Sequence, residues 1–280
     1  MKDEEVLALL ERLERDAPPP DGVLTYGHEP QQFGHLRLPK AETAGPGPYP
    51  LVIVIHGGYW RARYDLGYLG AACGALARAG LATWNIEYRR IGDPGGDWPG
   101  VFEDVAAAAD FVRTLAQPYP LDLTHVITLG HSSGGHLALW LAARSRLPEH
   151  SPLWQPDPLP LAGAIAIAGV LDLRRAWELR LSDNATGLLL GGTPGEFPER
   201  YDTASPYEAL PLGVRQVLLH GDADTNVPLE LSKRYAERAR ARADDITFET
   251  LPGSGHFEPV NPATAEWRAV ERWALALSGR

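Results

Sequence analysis

Leu129-Gly130-His131-Ser132-Ser133-Gly134-Gly135 joins two stretches of different periodicity. Before it, His125 to Leu129 is a short apolar run, the pattern of a strand buried on both faces. After Ser132 the pattern turns helical. The stretch fits Gly-x-Ser-x-Gly on a strand-turn-helix, a sharp turn in which Gly130 and Gly134 let the backbone pass close. Ser132 then stands at the head of a helix, whose dipole favours a developing negative charge, and is the candidate nucleophile. Ser133 supplies a backbone N–H there rather than a hydroxyl. A general base approaches from across the cleft on a separate loop, so His131 and His136 read as packing or supporting residues.

Outward from this turn, strands alternate with helices. Leu51 to Ile55 is a continuous apolar run ending at His56-Gly57-Gly58. Leu66 to Ala79 reads as a helix stopped by Gly80, Leu81 to Tyr88 as a strand, and about Val101 to Leu115 as a helix. Further strands are predicted at Gly163 to Ala168, Gln216 to His220 and Ile246 to Leu251, with helices at Leu229 to Arg242 and about Ala263 to Leu277. Phe33 to Pro39 alternates as an edge strand, and Ala41 to Pro50 reads as a Gly/Pro-rich loop. Met1 to Arg15 carries Val6, Leu9, Leu10 and Leu13 at helical spacing, giving an N-terminal helix within about residues 1–20, closed by Pro18 to Pro20. The pattern predicts one α/β domain over 1–280, a mostly parallel doubly wound sheet with helices on both faces. Residues 171–206 break the alternation and are expected to form a small cap-like insertion over the site.

The remaining catalytic candidates sit at strand ends, the edge where open α/β sheets place their sites. On a strand-turn-helix serine fold the order is serine, acid, histidine. Gly221-Asp222-Ala223-Asp224 follows one strand and Gly255-His256-Phe257 the next, so His256 is the base. Asp224 is favoured as the acid, and Asp222 reads as a turn-former that bonds nearby N–H groups. His56-Gly57-Gly58-Tyr59-Trp60 follows the first central strand, and the N–H groups of Gly58, Tyr59 and Ser133 are assigned to an oxyanion hole. Trp60, Trp84, Trp98 and Trp177 are candidate pocket walls, with Trp60 the substrate-binding choice because it adjoins that loop.

These residues together resemble the α/β-hydrolase superfamily, and within it the carboxylesterase and kynurenine formamidase (arylformamidase) group with a His-Gly-Gly-Tyr-Trp loop. The matching stretches are His56–Trp60, Gly130–Gly135, His220–Pro228 and Gly255–His256, with Trp84–Arg90 and Glu103–Val105 beside them. The resemblance covers about residues 26–275. It implies a serine hydrolase acting on small carboxylic esters or aryl formamides, without metal or organic cofactor. A serine exopeptidase of the prolyl-oligopeptidase type shares this catalytic domain, but residues 1–50 cannot build its propeller. A non-catalytic hydrolase-fold binding protein is the reading from another class.

Composition closes other routes. The 280 residues are 44% apolar and 22% charged, and a chain of this length buries roughly three quarters of its surface. A net charge of −10 gives no electrostatic case for nucleic acid or an anionic membrane as partner. Cys73 is the one cysteine, so no intrachain disulfide forms, and no metal-ligand spacing appears among the nine histidines. No apolar run reaches the ~18 residues of a membrane span, and Met1 to Arg15 lacks the apolar core of a signal peptide. A cytoplasmic monomer or homodimer with a small-molecule substrate is the expectation.

Overall fold

The computed structural model describes residues 3–280; Met1 and Lys2, the start of the predicted N-terminal helix, lie outside the described residues. The chain opens with α1 (Asp3–Arg15), the antiparallel pair β1 (Gly22–Thr25) and β2 (Phe33–Arg37), and the short α2 (Ala41–Ala44). Then follow β3 (Tyr49–Ile55), α3 (Gly70–Arg78), β4 (Ala82–Ile86), α4 (Gly100–Asp110), α5 (Val112–Leu115), β5 (Leu121–His131) and α6 (Ser133–Ala143). Past β6 (Gly163–Ile167) come four helices in succession: α7 (Leu173–Glu178), α8 (Leu181–Leu190), α9 (Pro198–Ala204) and α10 (Pro206–Ala209). The alternation resumes with β7 (Arg215–Gly221), α11 (Leu229–Ala241), β8 (Ile246–Leu251) and α12 (Trp267–Leu277).

The eight strands form one sheet in the order β1-β2-β4-β3-β5-β6-β7-β8. From β4 to β8 every pairing is parallel, and β3, β4 and β6 are buried along their whole length. Burial on both faces is why these strands read as unbroken apolar runs. The strand predicted at the edge, β2, lies one place in: Gly22–Thr25 pairs outside it, too short to announce itself in sequence. The predicted loop 41–50 contains the single helical turn of α2 and the first residues of β3.

Residues 171–206 do not stand off as a flap. Leu173, Ala176, Ala185, Leu189, Leu190 and Tyr201 are buried in the same apolar cluster as β3 and α4. Arg61 Nη2 also donates to Ser182 O at 2.6 Å, tying α8 to the loop after β3. Among the described residues no helix is long and apolar enough to cross a membrane.

Helix α6 is buried throughout, as a helix apolar all round must be. Just past its C-terminal end, the buried Arg144 donates to both carboxylate oxygens of Asp110 at the end of α4 (3.2 and 2.7 Å). Asp110 Oδ1 also accepts from Leu159 N at 2.8 Å. Removing the carboxylate strands a buried guanidinium, so Asp110→Ala is expected to destabilise by about 3 kcal/mol. Asp157→Ala, which breaks an exposed pair with Arg113, should cost under about 1 kcal/mol. Urea midpoints of the two variants check the contrast.

Candidate active site

The elbow follows from two close backbone approaches. A Cβ at Gly130 would lie 1.9 Å from Gly134 O, and one at Gly134 would lie 2.1 Å from Ile55 O. Between them Ser132 adopts φ 57° and ψ −123°, a left-handed conformation that costs an L-residue of order 1–3 kcal/mol and persists because the surroundings over-determine it. Ser132 N donates to Ile167 O at 2.8 Å, while Ser132 O accepts from Gly135 N at 2.9 Å. The hydroxyl is thereby held at the N-terminus of α6, and it has no hydrogen-bond partner among the described residues.

Asp224 lies after β7 and reaches across to the loop after β8. His256 Nδ1–H donates to Asp224 Oδ2 at 2.7 Å, which leaves His256 Nε2 free to take a proton. Asp224 is filled on every side: Oδ1 accepts from Asn226 N (2.7 Å) and Val227 N (3.0 Å), and Oδ2 also faces His220 Nε2 at 3.3 Å. Burial alone would raise its pKa, but the bonds from His220 and His256 outweigh it and hold the carboxyl well below the ordinary carboxylate range. His220 is oriented in turn by Ser232 Oγ at 2.8 Å and Val227 O at 3.0 Å. Asp222 is exposed and accepts from Gly253 N at 2.7 Å, the turn-forming bond expected of it.

Three successive residues of the loop after β3 have positive φ: Gly58 (112°), Tyr59 (52°) and Trp60 (58°). The turn is closed by Arg61 N donating to Gly58 O and Ile91 N donating to Trp60 O. The N–H groups of Gly58, Tyr59 and Ser133 donate to no acceptor among the described residues. Gly58 and Tyr59 line a small cavity with Ser132 and His256. Behind the loop, His56 lies between Gly57 O (2.8 Å) and the buried Glu87 carboxylate (3.0 Å). Glu87 also accepts from Leu66 N and Tyr88 N and pairs with Arg90 at 3.2 Å. Burial works against its charge, but His56 and Arg90 beside it hold its pKa below the ordinary value.

His131 and His136 are held toward the neutral form. Burial, then the nearby His256, pushes His131 down to about 3, and burial pushes His136 down to about 4. His131 Nε2–H donates to His256 O at 2.9 Å, and its Nδ1 faces Tyr68 Oη at 2.8 Å. Tyr68 Oη accepts from Gly57 N at 2.8 Å, so one chain of bonds runs from the loop after β3 through the serine turn to the backbone of His256. Sequence reading placed His131 in support but gave Tyr68, His220 and Glu87 no role at the site. Their only signal was burial of a polar group on an apolar element, which demands a partner without naming it.

Trp60 is not the wall it was expected to be. Its ring is fully buried, donates from Nε1 to His136 Nδ1 at 3.2 Å, and stands edge-on to that imidazole. The ring points into the core, while Tyr59, also at positive φ, stays at the surface and donates from Oη to Asn226 O at 2.6 Å. Trp84 is likewise buried, whereas Trp177 lines a separate cavity of about 620 Å³ with Glu178, Arg180, Asp183 and Asn184. None of residues 171–206 lines the cavity beside Ser132; Leu10 of α1 does.

Comparison with known proteins gives consistent likenesses. Residues 36–238 match the family model described as BD-FAE. The chain is 28% identical to esterase LipC of Mycobacterium tuberculosis over 82% of its own length and 58% of that protein. It is 22% identical to kynurenine formamidase of Danio rerio over 91% of its length and 80% of that protein. A further likeness, to a plant isoprenylcysteine methylesterase of Arabidopsis thaliana, takes in 49% of that protein, so the chain spans about half the length of several curated relatives it matches. In structure it superposes on a carbohydrate esterase from gut microbiota (TM-score 0.79, 23% identity, 95% of this chain and 98% of that one). It also superposes on an inhibited esterase B from Lactobacillus rhamnosis (0.80, 22%, 99% and 94%). The fold is that of the α/β-hydrolases.

The depressed pKa of Asp224 makes a stability statement. Its ionised form is favoured by folding, so that contribution is complete above the unfolded value of about 3.9 and is lost as pH falls below it. Asp224→Asn should therefore lower Tm at pH 7, with the gap to the parent narrowing below about pH 4. Thermal unfolding across pH 7 to 3 checks this; a constant gap would contradict it.

Proposed function

The chain belongs to the BD-FAE family, and from that membership and the site geometry we propose that it is a serine hydrolase of short carboxylic esters working through an acyl-enzyme on Ser132. The observation that carries the reading is the Asp224–His256 bond at 2.7 Å beside the left-handed Ser132 at the mouth of α6. Ser132 Oγ attacks the carbonyl carbon while His256 Nε2 takes its proton. Asp224 fixes the imidazole tautomer and stabilises the imidazolium. The negative oxygen is received by the free N–H groups of Gly58, Tyr59 and Ser133; one such donor is worth on the order of 10²–10³ in rate. His256 returns the proton to the leaving oxygen, and water, activated the same way, releases the acid. The missing bond from Ser132 Oγ to His256 in the free protein fits a contact that tightens with substrate.

Aryl formamides are the second reading. The observation in its favour is the formamidase likeness, which takes in 80% of that relative against 58% of the esterase. A formyl group also fits a narrow acyl site. A pure binding role leaves the free N–H groups and the Asp224–His256 bond without purpose.

Ser132→Ala, His256→Ala and Asp224→Asn are each expected to lower kcat by several orders of magnitude with KM little changed, and their effects should not add. Asp222→Asn should cost far less, and EDTA nothing. Kinetics on p-nitrophenyl acetate, N-formylkynurenine and an aminoacyl p-nitroanilide check all three substrate classes. Turnover of the anilide alone, or equal loss in Asp222→Asn and Asp224→Asn, would overturn the assignment.

A further inference from the structure

The cavity beside Ser132 has a volume of about 40 Å³. At roughly 10–15 Å³ for each water-sized group, it has room for about three heavy atoms. Apart from Ser132, His256, Gly58 and His131 its walls are Leu10, Tyr59, Tyr64, Tyr68, Asn226 and Phe257. Five of these come from the loops and turns of the main fold. Leu10 comes from α1, which lies outside the sheet and packs on the turn before α3 and on α3 itself.

The position of α1 is built rather than incidental. Three close contacts seat it and the segment behind it on a glycine row at 67, 70 and 74. A Cβ at those places would meet Glu14 Cδ at 2.7 Å, Ala17 Cβ at 2.7 Å and Pro18 Cγ at 2.4 Å. The buried Arg37 then clamps the segment, donating from Nε and Nη2 to Pro18 O at 3.2 and 2.9 Å. Leu13 is buried in the cluster around Tyr68, Leu69, Cys73 and Leu76, one turn along from Leu10. With the seat fixed this way, the reach of Leu10 into the cavity is fixed too.

We propose that Leu10 is the specificity-determining wall that keeps the acyl chain short, an inference that rests on the reading of Ser132 as the acylated nucleophile. The leaving alcohol must reach solvent before the hydrolytic water enters, so the small cavity beside Ser132 holds the acyl group. Shortening Leu10 to alanine removes three carbons from its wall and admits a chain longer by about as much.

The test is kcat/KM on p-nitrophenyl acetate, butyrate and hexanoate for the parent, Leu10→Ala, Leu10→Trp and Leu13→Ala. Leu10→Ala should raise the hexanoate-to-acetate ratio by at least about tenfold, since a methylene that fits a pocket is worth about 10-fold or more. Leu10→Trp should lower the butyrate-to-acetate ratio. Leu13→Ala loosens the same helix without touching the cavity, and should leave both ratios within about twofold. Unchanged ratios in Leu10→Ala, or the same rise in Leu13→Ala, would overturn this proposal while leaving the proposed function standing. A parent that turns over none of the three esters would overturn the ester reading and this proposal with it.

Discussion

Gly134 lies backbone against backbone on the end of β3, so close that a Cβ would come within 2.1 Å of Ile55 O and 2.4 Å of His56 O. That contact locks the serine turn to the loop that follows β3. Neither can move without the other, and so the hydroxyl of Ser132 and the free N–H groups of Gly58 and Tyr59 keep one geometry. The same crowding holds Ser132 in a conformation that an isolated serine would leave. Trp60 N donating to Ser133 Oγ at 3.3 Å adds a second tie between the two turns.

Electrostatics then sorts the histidines by partner. His131 and His136 are wrapped in apolar surroundings and a few neutral hydrogen bonds, and burial drives them to the uncharged form. His256 alone among the ring-bearing residues at Ser132 has a carboxylate on Nδ1, and that carboxylate is kept ionised by three hydrogen bonds and the close His220 ring. A proton arriving at His256 is therefore compensated, whereas one arriving at His131 would be stranded. The difference lies in what each ring touches, since His131 and His256 stand only 4.6 Å apart, centroid to centroid.

Much of the fold was legible because a parallel sheet buried on both faces writes itself as apolar runs, from Leu51–Ile55 to Gln216–His220. The triad candidates were legible because each follows such a run. What escaped the sequence was direction. Trp60 looked like a pocket wall by adjacency, but its ring points into the core. Leu10 looked like one more apolar position on an amphipathic helix; periodicity shows that such a residue is buried and says nothing of what it is buried against. The role looked for in residues 171–206, lining the space over Ser132, falls at least in part to a helix more than a hundred residues away in sequence. Strand β1 was missed for a simpler reason: four residues alternating half-buried and exposed carry too little signal.

Everything proposed for this site turns on the acylation of Ser132. Mixing the protein with p-nitrophenyl acetate, quenching in acid within the first turnover, and mapping the peptides by mass spectrometry tests it directly. One acetyl group is expected on Ser132, absent when His256 is replaced by alanine. An acetyl group on Ser133 or on a histidine, or hydrolysis without any adduct under conditions that trap it, would contradict the account.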